Sequence, residues 1–177
     1  MSTAPTDIEL MARLAAGDRE ALGEIIRRHQ RPLVNFFRRM GARTHEVEDL
    51  AQETFLRLYE YRERYRPTGK FTNFLFVLAR HAWADLGRKS LRTPVADEEA
   101  VAAFPVPSRL EGADARLDVQ QALTTLSDKL RIVVVLNIYQ HLTYAEIAEV
   151  LDLPLGTVKS RMFLAMRELR EHFDVRE

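Results

Sequence analysis

Apolar residues recur along most of the chain at three- and four-residue steps with charged residues between them, the period of amphipathic helices. Asp7 to Ala16 predicts a first helix with Ile8, Met11, Leu14 and Ala15 on one side, broken at Gly17-Asp18. Asp18 can cap a second helix, in which Ala21, Leu22, Ile25, Ile26, Leu33, Phe36 and Phe37 lie opposite Arg27, Arg28, Arg31, Arg38 and Arg39. The apolar period runs on through Pro32, so a kink is expected there, and Gly41 closes the helix. A third helix, about His45 to Tyr61, buries Val47, Leu50, Ala51, Phe55 and Leu58 and turns Glu48, Asp49, Gln52, Glu53 and Arg57 outward. After an aromatic and basic loop, YRERYRPTGKF, Thr72 is expected to cap a fourth helix through Leu86, with Leu75, Leu78, Ala79, Ala82 and Leu86 inward. Phe74, His81, Arg88 and Lys89 fall partly or wholly outside that stripe.

Ser90 to Gly112 has no sustained period and holds Pro94, Pro105, Pro107 and the run Asp97-Glu98-Glu99, which marks a flexible linker. Helical pattern resumes at Ala113, with Leu117, Ala122 and Leu123 inward to about Thr124. Asp128 to Gln140 carries the β-branched run Ile132-Val133-Val134-Val135 and could form a strand on propensity alone. Helical neighbours on both sides, and the spacing of Leu130, Val134, Asn137 and His141, favour a helix with Ser127 able to cap it. Thr143 and Glu146 form a capping-box pattern that opens a helix burying Ile147, Ala148 and Leu151. Asp152-Leu153-Pro154 interrupts it, and a second helix buries Val158, Met162, Ala165, Met166 and Leu169. Two short helices with a tight break and a small residue at the crossing predict a helix-turn-helix. Thr157, Lys159, Ser160 and Arg161 occupy the part of its second helix that meets base edges and phosphates in such motifs. The expected fold is all-α: a first helical domain over 7–90, a linker over 91–112 and a second over 113–175.

Charge refines this picture. Lys+Arg and Asp+Glu each number 26, a net charge of zero, which argues against tight autonomous binding to nucleic acid. Yet Arg62 to Lys89 holds seven cations against Glu63 and Asp85. Aromatic residues interleaved with those cations suit unstacked bases of a single strand; Phe71, Phe74 and Trp83 could equally be core, and for Trp83 core is the better expectation. The five histidines are scattered with no pair at i, i+4, cysteine is absent, and no Gly-rich phosphate loop occurs, so neither a metal nor a cofactor is expected. Serines at 2, 90, 108, 127 and 160 supply no nucleophile among N-terminal arginines, so catalysis is not expected. No signal pattern or apolar run of membrane length appears, consistent with a cytoplasmic protein that does not insert into membranes.

The stretch 48–89 closely resembles region 2, and the stretch 122–170 region 4, of the extracytoplasmic-function sigma factors of the sigma-70 family. The resemblance implies a dissociable initiation factor with core RNA polymerase (its β′ and β subunits) and promoter DNA as partners, and admits an anti-sigma factor as a further one. Position by position, it implies that Asp49, Gln52, Glu53 and Tyr59 dock on core polymerase. It assigns Arg64, Arg66, Lys70, Phe71, Asn73, Phe74, His81 and Arg88 to opening and reading the −10 element. Thr157, Lys159, Ser160, Arg161 and Phe163 would read the −35 element in the major groove. The chain departs from the family pattern at Phe74 (commonly tryptophan), His81 (commonly asparagine) and Ser127 (frequently proline), and at Leu164 and Met166, where arginines are often found. Fewer cations on that helix imply a weaker, less salt-dependent −35 contact. A helix-turn-helix regulator binding its operator without polymerase is the rival reading; it requires tight duplex binding alone, usually as a dimer.

Overall fold

The computed structural model describes residues 4–92 and 113–174, so the core of the expected linker, including Pro94 and Asp97-Glu98-Glu99, lies outside the described residues. The elements are α1 (Asp7–Ala15), α2 (Arg19–Met40), α3 (Thr44–Tyr61), α4 (Phe71–Arg92), α5 (Ala113–Thr125), α6 (Asp128–Val134), α7 (Tyr144–Leu151) and α8 (Leu155–Asp174). Among the described residues there is no strand, and a π-helical turn, Val135–Tyr139, extends α6.

Local chemistry sets most boundaries. Thr6 and Glu9 form a capping box at α1, Asp18 accepts from the Glu20 N–H at 3.0 Å to open α2, and Thr143 and Glu146 form the expected box at α7. Gly41, at φ 95°, ends α2 in the left-handed region. Pro32 sits inside α2, as its uninterrupted apolar period requires. Three boundaries differ from expectation. Thr72 is the second residue of α4 rather than its cap, and α4 continues to Arg92, past Leu86 and into the expected linker. Ser127 precedes α6 but caps it through its carbonyl alone, without a side-chain bond. At the helix-turn-helix, α7 is ended by Asp152 in the left-handed conformation (φ 53°), a geometry aspartate tolerates. Pro154 instead starts α8, its carbonyl accepting from Thr157 and Val158.

Helices α1 to α4 pack successively, α1 on α2, α2 on α3 and α3 on α4, around Met11, Leu14, Ile25, Leu33, Phe36, Phe37, Leu58 and Leu75. On α1, Leu10 takes the buried place expected of Ile8, which is exposed together with Ala15. In the second unit α6 packs against α8 and reaches α2, and Leu130 through Leu136 are all buried. A segment apolar on every side is a central helix, and this settles the strand-or-helix ambiguity of the valine run. On α8, Val158, Met162 and Ala165 are buried as expected, whereas Met166 is exposed.

The two helical units are closed on one another, and their apolar residues form one continuous core. The C-terminal turn of α2 is completed from the second unit: Gln120 donates to the Arg38 carbonyl at 3.1 Å and Arg131 to the Met40 carbonyl at 2.5 Å, while the Arg39 guanidinium lies 3.5 Å above the Tyr139 ring. The Arg38 carbonyl also accepts from the Gly41 N–H at 3.1 Å, so Gln120 adds a second donor there, while the Met40 carbonyl, at the helix end, takes its donor from Arg131. Arg131 is itself buried and also donates to the carbonyls of Leu123, Thr124 and Leu126 at the end of α5. A second seam joins α4 to α7.

Candidate functional site

Three surfaces hold the residues singled out by sequence. On α3, Asp49, Gln52, Glu53, Leu56, Tyr59 and Glu60 follow helical spacing along one outward face. Asp49 and Gln52 are exposed and take no hydrogen bond among the described residues. Glu53 accepts from Arg57 at 2.7 Å, and Arg57 reaches across to Asp85 of α4 at 2.7 Å. Tyr59 is half-buried beneath the Arg62 guanidinium, 4.1 Å from its ring. Leu56, 52% exposed, stands in the middle of this face. Sequence reading passed over it because it lies outside the apolar stripe; that lone outward leucine among carboxylates was the available signal.

The second surface is the loop before α4 and the start of that helix. Phe74 is packed between Tyr61 (5.4 Å between ring centroids) and Tyr65 (5.0 Å). The Arg64 guanidinium lies 5.0 Å from the Tyr61 ring, and Arg66 folds back onto the carbonyls of Glu63 and Tyr65. Tyr61 and Tyr65 therefore join Phe74, which the sequence singled out together with Phe71, in one aromatic cluster. Phe71 departs from expectation: at 4% exposure it packs against His29 and Tyr65 and anchors the loop rather than presenting a ring to bases. Asn73 is also buried, with its Oδ1 atom unpartnered. His29 is held in turn by Asp7 at 3.0 Å, tying α1 to the loop.

Farther along α4, His81 is exposed, while burial of its ring and the Arg80 guanidinium beside it hold the imidazole below its usual value. Arg80 Nη2 lies 2.9 Å from His81 Nε2; arginine only donates, so Nε2 is the acceptor and His81 is a neutral hydrogen-bonding group near pH 7. Arg88 is paired with Asp85. Trp83, expected in the core, is half-buried, and its indole N–H reaches Asp128 at 3.3 Å. Lys70 pairs with Glu146 at 2.8 Å; this pairing and the Thr143 cap hold the Glu146 carboxyl at about 2.

The third surface is α8. Gly156, Ser160, Phe163 and Arg167 form an outward ridge, with Lys159 and Met166 on one flank and Leu164 on the other. Thr157 and Arg161 lie half-buried at its edge, and Ser160 donates to the Gly156 carbonyl at 2.9 Å. Phe163 is 69% exposed, the largest value among the exposed apolar side chains. Leu164 and Met166 are exposed too, so their lack of charge bears on the surface rather than the core. Arg167, unassigned by sequence, adds a cation to the ridge.

These surfaces correspond to known regions. Residues 25–93 match the family description "Sigma-70 region 2" and residues 116–169 match "Sigma-70, region 4". The chain is 31% identical over 168 residues to the ECF RNA polymerase sigma factor SigW of Bacillus subtilis, covering 88% of this chain and 90% of that protein. It is 32% identical over 168 residues to the ECF sigma factor SigE of Mycolicibacterium smegmatis, covering 89% of this chain but 65% of that longer protein. Among solved structures, CnrH in complex with the cytosolic domain of CnrY superposes with a TM-score of 0.74 at 26% identity, covering 97% of this chain and 98% of that one. The sigma factor RpoE from Bartonella quintana, bound to the anti-sigma factor NepR, shares the fold with a TM-score of 0.72 at 19% identity, covering 88% and 98%.

Proposed function

The chain belongs to the extracytoplasmic-function RNA polymerase sigma factors, and from that premise we propose how its surfaces divide the work of initiation. The outward face of α3 docks on core polymerase: the Asp49 and Gln52 side chains carry no intramolecular hydrogen bond to give up among the described residues, and Leu56, one turn beyond Gln52, supplies apolar area. Half-buried Phe74, flanked by Tyr61 and Tyr65, is the platform on which an unstacked −10 base rests, at a gain of about 1–3 kcal/mol per base. Arg64, Arg66 and Lys70 lie beside it for the strand's phosphates, and His81, neutral, offers a hydrogen bond farther along α4. Phe71 and Asn73 support this site from beneath.

The observation that carries the reading is the division of α8. Val158, Met162 and Ala165 are sealed against α5, α6 and α7, which leaves Ser160, Phe163, Lys159 and Arg167 to enter a major groove. Phosphodiester chemistry belongs to the polymerase; this chain supplies binding and strand capture. CnrH is in complex with the cytosolic domain of CnrY, and RpoE with the anti-sigma factor NepR. A comparable anti-sigma factor for this chain would find Phe163, Leu164 and Met166 as apolar anchors.

The polymerase assignment is tested with the double variant Asp49→Ala/Gln52→Ala. Both residues are exposed, so the fold should be kept while retention on immobilised core polymerase is lost; retention equal to wild type would reject the α3 face.

A further inference from the structure

We propose that Asp7 and His29 are positioning residues of the −10 site: through Phe71 and Tyr65 they set the place and tilt at which the Phe74 ring meets an unstacked base. The inference rests on the reading of Phe74 as the base platform, and it extends the site to two residues that touch no DNA. Asp7 lies on α1, ahead of the residues 25–93 that match region 2.

The cluster joins α1, α2, the loop after α3 and the start of α4. Both carboxylate oxygens of Asp7 are taken by α2: Oδ1 accepts from the Arg28 guanidinium at 3.2 Å, and Oδ2 lies 3.0 Å from His29 Nε2. An ionised carboxylate only accepts, so Nε2 carries the hydrogen and the bond fixes the turn of the imidazole ring. Arg28 also donates to the Pro5 carbonyl at 2.7 Å, which holds the start of α1. His29 is buried, and its ring packs on Phe71 with 5.1 Å between centroids. From Phe71 the contact passes edge-on to Tyr65 at 6.2 Å, and from Tyr65 to Phe74 at 5.0 Å. Burial, and after it the Asp7 charge, push the half-buried Tyr65 phenol above its usual value, so the carboxylate is felt at that ring as well.

Ring contacts such as these tolerate several tilts, whereas a hydrogen bond is directional. The Asp7–His29 bond is the directional end of the chain, and Phe74 is its outer end. An anchor for α1 alone would be complete with Arg28 on Asp7 and Pro5; it needs neither the imidazole nor the rings beyond it. Without the bond, the rings sample other arrangements, and single-strand affinity falls with the fraction in which the platform is correctly set.

The test is a double-mutant cycle on the full chain, read by the anisotropy of labelled random-sequence single-stranded DNA. Asp7→Ala and His29→Phe remove the same hydrogen bond from its two ends, and His29→Phe keeps a ring against Phe71. Each should weaken single-strand binding by about three- to tenfold, the range for one hydrogen bond, and the two together no more than either alone. Asp7→Asn, which restores an acceptor for Nε2, should bind as wild type does. In a Phe74→Ala background neither change should have a further effect, whereas a general loosening of the fold would add to the Phe74→Ala loss. Duplex binding by α8 and retention on core polymerase should be unchanged throughout. Asp7→Ala also removes the Arg28 pair, so His29→Phe, which leaves that pair in place, decides where the two differ. Wild-type affinity in His29→Phe, or a loss that persists in full without Phe74, would overturn the positioning role and leave the platform standing. No loss in Phe74→Ala itself would overturn the platform and this inference with it.

Discussion

Arg131→Met isolates the contribution of one buried cation to the whole fold. Methionine keeps most of the stem's volume and removes all five guanidinium donors. Four carbonyls lose the guanidinium, Met40 at 2.5 Å, Leu123 at 2.7 Å, Leu126 at 2.8 Å and Thr124 at 3.0 Å, of which Leu123 keeps the Leu126 N–H at 3.3 Å. Each bond from a charged donor contributes roughly 1.5–3 kcal/mol, but the sum overstates the loss, because the variant also recovers the desolvation cost of burying a guanidinium. That cost is visible in Arg131 itself, whose affinity for its proton is lowered by burial. Asp128, 3.4 Å away and largely exposed, offsets little of it. Weighing these, we expect a loss of about 3 kcal/mol, the lower end of the range for removing one partner of a buried charged pair. Urea unfolding followed by circular dichroism measures it, with Arg131→Lys falling between wild type and Met because one ammonium cannot reach four acceptors. A loss below about 1 kcal/mol would show that water replaces the guanidinium and would refute the assignment of Arg131 as the clasp of α2, α5 and α6.

Other expectations follow from single residues. Glu146 titrates at about 2 in the folded chain against an ordinary 4.5, so its contribution is complete above pH 4.5 and is lost as pH falls toward 2. Lys70 is largely exposed and the pair is screened, so Glu146→Gln should cost about 1 kcal/mol at pH 7 and nothing near pH 2, read from urea midpoints across that range. Leu164→Arg, on an exposed position of α8, should tighten −35 duplex binding and steepen its dependence on salt by nearly one unit of log–log slope. Unchanged or weaker binding would mean that this flank does not face phosphate. Phe74→Ala should weaken single-strand binding by about 1–3 kcal/mol while leaving duplex binding by α8 unaffected, in paired anisotropy titrations.

The helices were legible because each needs only one apolar stripe and a cap, both local features. Pro32 within α2 and the helical valine run of α6 followed from period and neighbours. What sequence missed depends on contacts between distant segments. Arg131 looks like one more charged residue on α6 until Met40 and the end of α5 are brought to it. Phe71 reads as a basic-loop aromatic for DNA, yet His29, on α2, captures its ring. Thr72 had the right chemistry for a cap, but α4 begins one residue earlier. Of the site residues, Lys159 and Ser160 on α8 were readable from spacing and Phe163 only from the family resemblance, whereas Tyr61, Leu56 and Arg167 gained meaning only once their faces were assembled. Nothing in the pattern of either unit announces that they close on one another, since the pairing of Lys70 with Glu146 and of Arg80 with Leu151 is invisible to periodicity.

As a sigma factor, this chain confers promoter recognition on polymerase. Purified protein added to sigma-free bacterial core polymerase, with transcripts from genomic DNA sequenced at their 5′ ends, tests it most directly. Discrete start sites sharing two upstream elements, lost with Lys159→Ala/Arg161→Ala, are the expected result. No new start sites, together with tight duplex binding by the protein alone, would contradict it and point to an autonomous helix-turn-helix regulator.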